Sequence, residues 1–141
     1  MTFKFGNIEG LKCNLKIEGD IGTPLGLPGG ITLRILAATD ANPRWKAGGD
    51  KYRREIRALV RANASDDRQK QFFAEHLTKL IVKDWEGVTD DEGNVVPFTR
   101  EACEAFLLEA DDAVEAILGT MSDTKNFRGE RIEAVIERIK N

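Results

Sequence analysis

The stretch Ile81-Val82-Lys83-Asp84-Trp85-Glu86-Gly87-Val88-Thr89-Asp90-Asp91-Glu92-Gly93-Asn94-Val95-Val96-Pro97-Phe98-Thr99 decides how the chain is organised. A helical pattern runs into it, two Gly-centred turns interrupt it, and a second helix is expected to begin at Thr99. Asp90-Asp91-Glu92-Gly93-Asn94 has the composition of a turn, and Val88 with Val95 and Val96 is placed to close a small hairpin across it. Pro97 biases Val96 away from helical geometry, while Thr99 is a suitable N-cap with Glu101 in the first turn. Within this acidic run, Trp85 and Phe98 are the large apolar side chains. The expectation is a rigid corner in which Trp85 and Phe98 fix the angle between two helices. Val88, Pro97 and Phe106 complete it, and the same residues are candidates for contact with a binding partner.

Downstream, Phe106, Ala110, Ala113, Val114, Ile117, Leu118 and Met121 form a helical stripe, which predicts one helix over residues 100–121. A last helix is predicted from Ile132, Val135, Ile136 and Ile139, spaced i, i+3, i+4 and i+7. Upstream, Ser65 caps a helix whose apolar face holds Phe72, Phe73, Leu77, Leu80 and Ile81. Tyr52, Ile56, Leu59 and Val60 predict another helix, beginning at Asp50.

The N-terminal part alternates as a strand does. Leu11, Cys13, Leu15 and Ile17 interleave with polar residues, and Ile31, Leu33 and Ile35 follow less cleanly. Between them, residues 19–30 hold Pro24, Pro28 and the glycines at 19, 22, 26, 29 and 30, which predicts a long irregular loop joining an antiparallel pair. Phe3 and Phe5 are candidates for a short third strand. The fold class is α+β and helix-dominated, with a small N-terminal antiparallel β element followed by about four helices. It is expected as a single domain over residues 1–141, with the β element at 1–38 and the helical body at 50–140.

Composition bounds the function. The chain has 141 residues and a net charge of −3, which argues against a general nucleic-acid binder. No apolar run is long enough to span a bilayer, and no signal-like segment opens the sequence, so the expected compartment is the cytoplasm and no membrane partner is expected. Cys13 and Cys103 lie too far apart in sequence for a CxxC motif. His76 is the only histidine and falls on an apolar stripe, which leaves little to build a catalytic triad or a two-histidine metal site. Counting back from Gly93, an EF-hand loop would need an acid where Val88 stands. No Gly-rich segment has phosphate-cradling spacing. No cofactor, no metal and no enzymatic activity is expected.

Charge is unevenly distributed. Residues 41–70 are strongly basic, with Arg53, Arg54, Arg57 and Arg61 spaced along one side of a helix. Residues 83–123 are strongly acidic, and Asp111 and Asp112 lie within this run. One expectation is self-assembly, the basic edge of one copy meeting the acidic edge of the next, which builds a ring or a spiral. The arginine ridge also admits a small nucleic-acid-binding regulator, an alternative that lacks interleaved exposed aromatics.

The series Val82-Lys83-Asp84-Trp85-Glu86-Gly87-Val88, Asp91-Glu92-Gly93-Asn94 and Val96-Pro97-Phe98-Thr99, preceded by Asn42-Pro43-Arg44-Trp45, resembles the tail assembly chaperones of long, non-contractile-tailed bacteriophages. The likeness covers roughly residues 40–127. It implies a protein of the host cytoplasm, absent from the finished virion, that coats the tape measure protein before tail tube subunits polymerise. It further implies homo-oligomers, and a frameshifted longer form that recruits the tail tube protein. A structural tail protein retained in the virion, a tube or connector component, is the competing expectation.

Overall fold

Leu27 and Ile31 pair across Pro28-Gly29-Gly30, and this short turn begins the sheet. Gly29 and Gly30 have φ of +85° and +77°, a region where a Cβ is strongly disfavoured. In the computed structural model, which describes residues 2–6, 8 and 12–128, strand β1 is Thr23–Leu27 and strand β2 is Ile31–Ile35. The segment predicted to be an irregular loop is therefore half of a tight hairpin. Pro24 and Gly26 are tolerated because β1 lies at the sheet edge, where a missing N–H or side chain costs little.

The predicted strand around Cys13–Ile17 does not form. Asn14 Oδ1 accepts from Ile17 N (3.1 Å) and Asn14 O from Glu18 N (3.0 Å), starting a helical turn. That turn continues as a π-helical segment, Ile17–Ile21, closed by Gly22 N donating to Ile17 O (2.8 Å). Asn favours such local side-chain bonds over a ladder. Ile17 is buried, whereas Cys13 and Leu15 are exposed. Phe3 and Phe5 are exposed and form no strand.

The third strand, β3, is Val82–Glu86, within the stretch Ile81 to Thr99. The sheet order is β1-β2-β3 with antiparallel pairs, Leu33 opposite Trp85 and Arg34 opposite Asp84. A register irregularity between Arg34 and Ile35 brings Val82 opposite Ile35. Trp85 thus sits on a strand, and the corner joins strand to helix rather than helix to helix.

Helix α1, Pro43–Arg61, starts seven residues before the predicted Asp50, on the Asn42 cap, with Pro43 at the first helical position. Gly48-Gly49 lies inside it because packing requires small residues: an added Cβ would come within 2.9 Å of Leu80 Cδ2 and 2.8 Å of the Trp45 ring. Helix α2, Asp66–Leu80, begins at the predicted Ser65 cap. The single helix expected over residues 100–121 is two, α3 (Arg100–Glu109) and α4 (Asp111–Met121), divided at Ala110 (φ −99°, ψ 75°). Asp111 and Asp112 then occupy the first turn of α4, where they complement the helix dipole. A 3-10 turn, Thr124–Phe127, follows and inserts Phe127 into the core. The helix predicted around Ile132 to Ile139 lies outside the described residues.

The architecture is α+β and helix-dominated, a small three-stranded antiparallel sheet with four α-helices among the described residues. One core holds Leu33, Ile35, Phe72, Leu77, Ile81, Val82, Trp85, Leu107, Ile117 and Phe127. Asn42 is wholly buried within it. Its amide donates to Ala37 O (3.0 Å) and Leu80 O (2.9 Å), and its Oδ1 caps α1 at Arg44 N (3.1 Å).

Candidate interaction site

The corner is built on Trp85. Alternation along β3 turns its ring inward, opposite Leu33. At the strand end Gly87 takes φ +82°, and its α-carbon lies so close to Gly30 that a Cβ would sit 2.2 Å from the Gly30 carbonyl oxygen. The chain then turns through the acidic loop. Asp90 Oδ1 accepts from Glu92 N and Asn94 N, both at 2.9 Å, so this carboxylate organises the backbone. A bridge pairs Thr89 with Val95, and Val96 N donates to Val88 O (2.9 Å), closing the small hairpin predicted from the valines.

Trp85 Nε1 donates to Val96 O (2.9 Å), tying the strand to the far side of that hairpin. Its ring meets Phe98 edge-on, with centroids 5.2 Å apart and planes at 88°. Phe106, from α3, lies 5.6 Å away at 66°. Such edge-to-face pairs align the positive ring edge with the negative face. Thr99 Oγ1 accepts from Ala102 N (3.0 Å) and caps α3. Trp85 and Val88 are buried, Phe98 and Phe106 half-buried, and Pro97 exposed. The structure therefore brings Phe98 and Phe106 against the Trp85 indole, buries Val88 in the same core and leaves Pro97 at the surface. Val95, 76% exposed, stands beside them in sequence.

The candidate assembly residues do not meet within one chain. Arg53, Arg54, Arg57 and Arg61 are exposed on α1, and Asp111 and Asp112 are exposed at the start of α4. Some are engaged internally: Arg53 pairs with Asp50 (3.5 Å) and lies over the Trp45 ring (5.2 Å), and Asp111 pairs with Lys70 (3.6 Å). His76 bridges two helices, its Nε2 3.0 Å from Glu55 Oε2 and its Nδ1 2.9 Å from Phe72 O. A neutral ring can donate to only one of these acceptors. Burial pushes Tyr52 up to about 12. Burial likewise raises Cys103 to about 11, with Glu104 adding to the effect and the Thr78 hydroxyl opposing it. Among the described residues no group of three or more His, Cys, Asp or Glu is placed to hold a metal ion. No helix among them is long and apolar enough to cross a membrane.

Two concavities escaped the sequence patterns. One, about 380 Å³, is lined by Ile21, Thr32, Arg34, Lys83, Asp84, Trp85 and Glu86. The other, about 200 Å³, lies where α2 meets α3 and α4, with Phe73, Leu107 and Val114 among charged residues. Phe73 and Val114 sit on the helical stripes read from the sequence and Leu107 on neither, so the hollow they share was not readable from periodicity.

The family model described as YdaY prophage protein matches residues 40–138, well over half of the chain. The chain belongs to that family. It is thus a phage-related protein, and the matched span holds β3, all four α-helices and the whole corner. Strands β1 and β2 precede the match, so the sheet joins two strands from outside the family region to one from within it. Comparisons with curated proteins and with solved structures give no match.

Proposed function

We propose that this phage-related protein is a tail assembly chaperone, which binds and solubilises the tape measure protein in the host cytoplasm before the tail tube polymerises. The observation that carries this reading is the ordered motif series, Asn42-Pro43-Arg44-Trp45 and then Trp85 to Thr99, whose residues build the α1 cap and the aromatic corner. The role is binding rather than catalysis. Half-buried Phe98 and Phe106, with exposed Val95, offer apolar contact to a helical client while Trp85 holds them in place. Weak contacts repeated along a lattice of copies supply affinity that one copy lacks. The ridge of Arg53, Arg54, Arg57 and Arg61, set against Asp111 and Asp112 of the next copy, suits such a lattice, and a longer frameshifted form would bring in the tail tube protein.

Co-expression with the tape measure protein of the same phage should yield a soluble, co-purifying complex. A client that remains insoluble and unbound refutes the reading. Mass spectrometry of purified virions separates a chaperone, which is absent, from a structural tail protein, which is present. Changing Arg53, Arg54 and Arg57 to Glu should lower the light-scattering mass of the assembled protein; an unchanged mass removes that ridge as the contact.

A further inference from the structure

Phe3 and Phe5 are 70% and 71% exposed, and their rings lie side by side with centroids 6.3 Å apart and planes 17° from parallel. Residues two apart share one side of an extended chain, so Thr2-Phe3-Lys4-Phe5 presents a paired aromatic face with a lysine between. Among the described residues, the core cluster and the apolar residues packed on it include neither ring.

Elsewhere the molecule holds a hollow of matching character. Phe73 of α2, Leu107 of α3 and Val114 of α4 line the groove of about 200 Å³. Its rim carries Asp66, Asp111 and Glu115 against one cation, Lys70, which already faces Asp111 at 3.6 Å. The groove is apolar at its floor and acidic at its edge; the arm is aromatic on one side and carries Lys4 on the other. Within one chain the two do not meet, since the rings remain exposed.

We propose that the N-terminal segment of one copy docks its Phe3–Phe5 pair into the α2–α3–α4 groove of a second copy, with Lys4 on the outer side of the segment, where its charge is drawn to the acidic rim without entering the groove. Arm and groove are different surfaces, so the contact is head-to-tail and propagates from copy to copy until it closes. The inference deepens the lattice of copies proposed above, adding a second contact at the edge that holds Asp111, and needs no particular client; its cross-link can fail while co-purification with the client succeeds.

The test uses two differently tagged full-length chains, both carrying Cys13→Ser to remove the exposed thiol. One also carries Phe5→Cys and the other Val114→Cys. Mild oxidation of the mixture should produce a disulfide-linked dimer bearing both tags. The control replaces Val114→Cys with Val60→Cys, on a residue 75% exposed on α1. A mixed dimer no more abundant than this control overturns the proposal. So does a chain carrying both Phe5→Cys and Val114→Cys that cross-links only to itself, which would mean docking within one chain. Light scattering gives a second readout: Phe3→Ser with Phe5→Ser should lower the mass roughly twofold or more. A parent protein already monomeric, or a mass the double change leaves unaltered, also overturns it. The two rings are exposed, so their removal leaves the fold intact.

Discussion

Asn42 carries three tasks on one buried side chain, and they can be separated. Asn42→Ala removes the α1 cap and leaves the carbonyls of Ala37 and Leu80 without partners, at an expected cost of about 2–4 kcal/mol. Asn42→Asp keeps the capping oxygen but sets a carboxylate against two carbonyl oxygens in the core. If the donors matter more than the cap, Asp should be the worse replacement, at about 3–5 kcal/mol. Urea unfolding of the two variants decides it, and an Asp variant as stable as the parent would assign the whole effect to capping. Trp85 divides similarly. Trp85→Ala should cost about 3–5 kcal/mol through lost packing. Trp85→Phe retains most of the ring and loses only the bond to Val96 O, about 1–3 kcal/mol. A Trp85→Ala variant that keeps full stability but loses client binding would identify the indole as a contact residue instead.

At the scale of elements, the sheet depends on the contact between the β3 exit and the β1–β2 turn. Gly87 lies against the Gly30 carbonyl with φ +82°, so two separate reasons exclude a side chain. Gly87→Ala should cost about 1–3 kcal/mol from backbone strain alone. The contact with Gly30 adds to that and should displace the hairpin. Hydrogen exchange checks the prediction: protection should fall at the amides pairing β2 with β3 before it falls in α2. The opposite order would show that the hairpin is held by its packing on α4 and not by its neighbouring strand. The division at Ala110 matters at this scale too, because α3 and α4 bend around the end of α2 and create the groove between them.

For the whole molecule, two buried groups report on folding at alkaline pH. Cys103 is raised from 9.0 to about 11 and Tyr52 from 10.0 to about 12, chiefly by burial, so the folded state favours their protonated forms. Their stabilisation is complete below the ordinary values and is lost as pH rises through the raised ones. The denaturant midpoint should therefore hold to about pH 9 and fall between there and about pH 12. Cys103→Ala should make the first part of that decline shallower, and a profile identical to the parent would dissociate the thiol from it. Under native conditions a thiol reagent should label Cys13, which is exposed, well before Cys103.

Patterns that depend on neighbours along the chain were legible in the sequence. The Ser65 and Thr99 caps, the Asp90 turn, the stripe of α2 and the α+β class all arise from bonds or periodicities within a few residues. Aromatic clustering at Trp85 and Phe98 was legible for the same reason, since the hairpin between them is short. What the tertiary structure alone decided involves partners far apart in sequence. Edge position allows a strand containing Pro24 and Gly26; pairing with β2 makes residues 82–86 a strand where a helical stripe ended; close packing on Leu80 accommodates Gly48 inside a helix. Asn42 reads as a turn residue locally and becomes a core residue only once Ala37 and Leu80 converge on it. Local sequence determined which segments turn, cap and alternate, because those free energies are local. Strand pairing, the break at Ala110 and the groove it opens were decided by long-range burial, where contact with distant segments outweighs local propensity.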